Sequence, residues 1–134
     1  MRNVEVGEHK LTCSVSELKA KIKELLRESD NMLLLETVTA VDESENKRIR
    51  IIYVFYNLRD SKQVIIETSV SREKPVVPSL IDYVPAVYPY ELEIYDLFGV
   101  IFEGNNSTRE GFFKPLELKG VFPLLKAYKV DKEQ

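Results

Sequence analysis

The sequence predicts an α+β fold: an N-terminal helix packed on a small, mainly antiparallel sheet, then short proline-bounded helices and an extended C-terminal tail. Three observations carry this prediction. A single apolar stripe at helical spacing comes first. Three strand-like stretches, the first apolar and then rich in Thr and Val and the other two alternating, come next, joined by short polar connections. Four prolines then break the chain between residues 75 and 89.

The helix is expected from Val15 to Glu28. Ser14-Val-Ser-Glu17 has the form of a capping box, in which Glu17 reaches back to the first free backbone amide. Val15, Leu18, Ile22, Leu25 and Leu26 then share one face, with Lys19, Lys21, Lys23, Glu24 and Arg27 mostly off it. Ser29-Asp-Asn31 ends the helix.

Strands are expected over Met32–Val41, around Ile49–Phe55 and over Val64–Val70. Ile49, Ile51, Tyr53 and Phe55 form one alternating face; Ile52 and Val54 add apolar groups opposite, which suits an interior strand. Val64, Ile66, Thr68 and Val70 alternate in the same way, with Glu67 opposite. The connections, Asp42–Lys47 and Asn57–Lys62, are short enough for an antiparallel meander. One face of that sheet needs a helix to cover it. Lys47, Arg48 and Arg50 read as a solvated edge, where charge discourages edge-to-edge pairing.

Pro75, Pro78, Pro85 and Pro89 forbid one long helix. A short helix is expected over Pro78–Val84. A second starts at Pro89 and runs to about Phe98, with Gly99 as its stop. Domain limits are set at 1–104 for the α+β domain and 105–134 for the tail, which is apolar, contains Pro115 and Pro123, and shows no clear period.

Composition excludes several functions. The 134 residues suit one domain, and 44% hydrophobic content suffices for one core. A net charge of −3 gives no electrostatic basis for coating nucleic acid. With one cysteine, Cys13, and one histidine, His9, the chain cannot form an internal disulfide or supply the four Cys/His ligands of a usual zinc or iron–sulfur site. Cys13 reads as a packing residue and His9 as a surface one. No apolar run approaches the ~20 residues of a membrane-spanning helix, and the first residues lack a signal core.

Glu91, Glu93 and Asp96 are the densest acidic group beside aromatic residues. Glu93 and Asp96 are neighbours on a helix, a spacing open to acid–base chemistry. Acids near a helix start also stabilise its positive end by roughly 0.3–1 kcal/mol, which needs no substrate. No second catalytic element accompanies them.

The stretch Tyr88-Pro-Tyr-Glu-Leu-Glu-Ile-Tyr-Asp-Leu-Phe-Gly-Val-Ile-Phe-Glu-Gly104, preceded by Val77-Pro-Ser-Leu80, resembles the thirty-kilodalton subunit family of respiratory NADH dehydrogenase. That family includes the counterpart subunits of membrane-bound energy-converting [NiFe] hydrogenases and related archaeal complexes. Its hallmark is roughly Glu-Arg-Glu-x-Tyr-Asp-Leu-Phe-Gly-Ile-x-Phe-x-Gly-His-Pro. Glu91, Glu93, Tyr95, Asp96, Leu97, Phe98, Gly99, Phe102 and Gly104 match it. Leu92 stands at the family's Arg, Asn105-Asn106 at its His-Pro, Arg109-Glu110 at its paired arginines and Tyr88 at its Trp.

The resemblance implies a subunit without cofactor and without catalysis of its own, in the peripheral arm of a complex-I-like oxidoreductase. Its implied partners are a large subunit with a nickel–iron or quinone site, an iron–sulfur small subunit and, through these, membrane ion-translocating subunits. Peripheral attachment at the cytoplasmic face of the membrane follows. Electron transfer coupled to ion translocation would be the work of the whole complex. The departures suit a hydrogenase or sulfur-reducing type; a respiratory NADH or F420H2:quinone dehydrogenase is the alternative. Under the resemblance, Glu91, Glu93 and Asp96 anchor to backbone donors or arginines, Phe98 and Phe102 fill apolar pockets, and Gly99 permits a turn. Tyr95, Gly104 and Arg109 join them as motif residues at the interface. A stand-alone enzyme using Glu93 and Asp96, and a soluble adaptor without redox role, are the competing classes.

Overall fold

The computed structural model describes residues 8–108. The order is β1 (Glu8–Thr12), a 3-10 turn (Val15–Glu17), α1 (Leu18–Glu28), β2 (Leu33–Glu43), β3 (Arg48–Asn57), β4 (Lys62–Ser71), β5 (Val76–Pro78), a 3-10 turn (Pro85–Val87), α2 (Tyr88–Phe98), β6 (Ile101–Glu103) and a last 3-10 turn (Asn106–Thr108). Four strands form one sheet in the order β1-β4-β3-β2, and β5 pairs with β6 in a second.

The expected helix forms, but its first turn is 3-10 and only Leu18 onward is α-helical. The Ser14 amide donates to Glu17 Oε1 at 3.2 Å. Leu18 and Ile22 are fully buried, and full burial of such a side chain is worth about 1.5–3 kcal/mol. Asp30 and Asn31 end the helix in the left-handed conformation, φ 56° and 62°, which these two residue types tolerate better than most.

The meander β2-β3-β4 is antiparallel as expected, and β3 is interior. Ile49, Ile51, Tyr53 and Phe55 are fully buried, and Val64, Ile66, Thr68 and Val70 face the same core. The helices and the turn before α2 supply Leu18, Ile22, Val87 and Ile94 to that core. The phenol of Tyr53 and the hydroxyl of Thr68 are buried with no hydrogen-bond partner among the described residues.

Three features depart from expectation. First, β1 adds a parallel strand beside β4, Leu11 opposite Ile66. Leu11 is partly buried and packs against the core, while His9 and Lys10 are exposed; one such side chain leaves no apolar period to detect. Second, Pro78–Val84 is not helical. Its amides are used elsewhere: Ser79 N–H donates to the Glu103 carbonyl at 2.8 Å, extending the β5–β6 pairing. A tight turn follows, in which Val84 N–H reaches the Leu80 carbonyl at 2.8 Å. Third, Arg48 and Arg50 do not lie on an edge. Arg50 sits on an interior strand, half-buried between Glu43 (2.8 Å) and Glu67 (2.8 Å).

Asp42 and Arg72 form a two-point ion pair, 2.7 and 3.3 Å, at one end of the core face. The Asp42 side chain is 1% exposed and Arg72 is 20% exposed. Arg72→Ala should cost about 2–3 kcal/mol in urea unfolding, because it strips a buried carboxylate of its cation.

The packed body continues past Gly104, since Asn105 and Thr108 are both buried. Arg109 and the rest of the expected tail lie outside the described residues.

Candidate functional site

One carboxylate of the helix α2 is hydrogen-bonded to both of the loops beside it. Pro89 sits in the first turn of the helix, where a missing amide costs nothing. Gly99 closes it at φ 80°, its amide bonding the Tyr95 carbonyl at 2.9 Å. A Cβ at that φ is strained, so Gly99→Ala should lower stability by about 1 kcal/mol in thermal unfolding.

Between those ends, Glu91 is completely buried. Ser79 Oγ donates to its Oε1 at 2.7 Å, and Asn105 Nδ2 to the same oxygen at 3.0 Å. The Leu80 amide donates to Oε2 at 3.1 Å. Burial pushes the Glu91 carboxyl above its ordinary value, and the donors from Asn105, Ser79 and Leu80 oppose that rise. One side chain thus ties α2 to the loop after β5 and to the loop after β6.

Each donor is itself held. Ser79 Oγ accepts the Ile81 amide at 3.1 Å, and Asn105 Oδ1 accepts the Ser107 amide at 3.1 Å. The Thr108 hydroxyl accepts the Phe102 amide at 2.9 Å and donates to the Asn105 carbonyl at 2.9 Å. Gly104, at φ 104°, makes the turn between them.

The motif residues therefore divide. Glu91, Tyr95 and Phe102 are buried, while Phe98, Asp96 and Gly99 are half-buried. Glu93 and Gly104 are exposed. Glu91 accepts from the Leu80 backbone amide and from the side chains of Ser79 and Asn105, and it is closed to solvent. Asn105, Ser79 and Thr108 carry the same network but were not singled out as site residues; their signal was only the polar sequence Asn105-Asn-Ser-Thr108 beside a buried acid. No group of three or more His, Cys, Asp or Glu side chains among the described residues is placed to hold a metal ion. Cys13 is buried, and burial raises its thiol pKa, so it is not poised as a nucleophile.

A family model described as "Respiratory-chain NADH dehydrogenase, 30 Kd subunit" matches residues 11–134. The chain belongs to this family. It is 39% identical over 87 residues to the C subunit of NADH-quinone oxidoreductase from Rickettsia prowazekii (strain Madrid E), covering 63% of this chain and 44% of that protein. It is 32% identical over 84 residues to the C subunit of the same enzyme from Moorella thermoacetica, covering 63% and 57%. With the C/D 2 subunit from Aquifex aeolicus the match is 31% over 112 residues, covering 80% and 19%. The chain spans less than two thirds of the length of each of these relatives.

The fold is shared with a chain of the archaeal membrane-bound sulfane sulfur reductase, at TM-score 0.79 and 20% identity, over 99% of this chain and 77% of that one. A trypsin-resistant fragment of Nqo5 aligns at TM-score 0.67 and 21% identity, over 78% and 85%. No helix among the described residues of this thirty-kilodalton family member is long and apolar enough to cross a membrane.

Proposed function

We propose that this chain is a cofactor-free structural subunit in the peripheral arm of a complex-I-like, membrane-bound oxidoreductase. The observation that carries the proposal is the family match from residue 11 to residue 134. The use of Glu91 supports it: the motif's most buried acid is spent on internal hydrogen bonds, which suits folding and docking and not proton transfer to a substrate. The partners are a large subunit with a nickel–iron or quinone site and an iron–sulfur small subunit, which hold the redox groups. Ion-translocating membrane subunits follow through these, with this chain peripheral at the cytoplasmic face.

A hydrogenase or sulfur-reducing complex is the favoured type. Leu92 and Asn105-Asn106 depart from the respiratory pattern, and Asn105 has its own structural task as a donor to Glu91. Affinity purification from native membranes should recover both partner subunits with this chain, and the isolated chain should carry no metal and no visible chromophore. Recovery as a monomer without such partners would overturn the proposal. Cysteine ligands for nickel in the large subunit would mark the hydrogenase type, and their absence the others.

A further inference from the structure

We infer that the outer edge of β2 is the docking site for an extended segment of another subunit, which adds to the sheet as a fifth strand. This rests on the assembly function proposed above. β2 ends the sheet, and no described strand pairs with its outer side. Exposed edges are normally blunted by lysine, proline, bulges or a covering element. Here the blunting is confined to the ends. Near Glu36 the pairing with β3 shifts by a bulge, and the Tyr90 phenol donates to the Glu36 carbonyl at 3.2 Å. At the far end come Asp42 and Glu43. From Thr37 to Val41 the edge carries neither charge nor proline.

Beside that open stretch lies a groove of about 230 Å³ between β2 and α2, lined by Val38, Thr39, Ala40, Glu93, Leu97 and Phe98 among others. It is smaller than the roughly 300–1,000 Å³ of small-molecule and cofactor sites, but it suits the side chains of a peptide. Most of its lining residues are apolar, but polar and apolar atoms share its surface about equally, and Glu93 brings the one charge. That side chain is exposed and makes no ion pair among the described residues.

The occupant follows from these features. Backbone pairing along the edge requires an extended strand, whose side chains alternate between two faces. The groove takes an apolar side chain on one of those faces. Glu93 at the rim takes a lysine or arginine two residues along the same face. The partner segment is thus about four to six residues long by the length of the open edge, roughly one residue per 3.3 Å, with an apolar and a basic side chain on the face that meets α2.

The test places a photo-crosslinking phenylalanine analogue at Thr39 of the full chain, in the complex purified from native membranes. Illumination should join Thr39 to an extended segment of a different subunit. Glu93→Arg, an exposed substitution whose folding is checked by thermal unfolding, should reduce that product at least tenfold. A crosslink to residues 109–134 of the same chain, a crosslink to a second copy, or no crosslink despite full partner recovery would overturn the inference and leave the assembly function standing. An undiminished yield with Glu93→Arg would overturn it as well. If no partner is recovered with the unmodified chain, the assembly function fails and this docking site fails with it.

Discussion

Glu91→Ala should destabilise the domain by about 3–5 kcal/mol in urea unfolding. The substitution leaves the Ser79 hydroxyl, the Leu80 amide and the Asn105 amide without their acceptor in a site closed to solvent. A buried group left unsatisfied costs about 1–3 kcal/mol, and the lost side chain leaves a cavity besides. Glu91→Gln should cost less, because one carbonyl oxygen remains to accept.

Comparing wild type with Glu91→Gln also gives a pH signature. Because burial raises the folded-state pKa above the ordinary 4.5, the native domain binds this proton more tightly than the unfolded chain does. That contribution is fully present below the unfolded pKa and is lost as pH rises through the folded pKa. Wild type should therefore lose stability relative to Glu91→Gln as pH climbs from the acid range towards neutrality. Glu43 has the opposite sign: hydrogen bonding to Arg48 lowers its pKa, so its contribution is lost as pH falls. Subtracting the Glu91→Gln curve removes Glu43 and isolates Glu91. A flat difference curve would show that Glu91 keeps its ordinary pKa in the fold.

Phe102→Ala is the second large effect, again about 3–5 kcal/mol in urea unfolding. Phe102 is fully buried on β6, and its register partner Val77 is fully buried on β5. Its backbone amide is also held by the Thr108 hydroxyl, so the surroundings have little freedom to collapse into the space. Phe102→Leu should recover part of the loss, since it restores volume without the ring. Equal losses for the two variants would mean that ring shape, not volume, is what the pocket selects.

Much of the sheet was legible because its periods are long. β3 and β4 each bury four alternating side chains on one face, and α1 keeps a clean stripe. The elements that were missed are those in which few side chains report on the fold. β1 packs only Leu11, and β5 and β6 have three residues each, too few for an alternation to show. Pro78–Val84 is expected as a short helix only because prolines bound it, but its polar groups serve Glu91 and the Glu103 carbonyl. In the motif, the resemblance marked Glu91 as an anchor. The division between buried Glu91 and exposed Glu93 was less visible, because it depends on which side of α2 meets Ser79 and Asn105. That choice is made by segments outside the helix.

The placement of β1 bears on how the chain reaches this fold. Glu8 lies beside Gln63 in the sheet, 55 positions later in the chain, whereas β2, β3 and β4 join through short turns. Loop closure over such a span costs entropy before any contact rewards it, and non-local pairings slow folding. The three-strand meander can assemble from local pairings alone, with α1 available to cover it. The first described strand must wait until β4 has been synthesised, so docking of β1 is expected as a late event in folding on the ribosome.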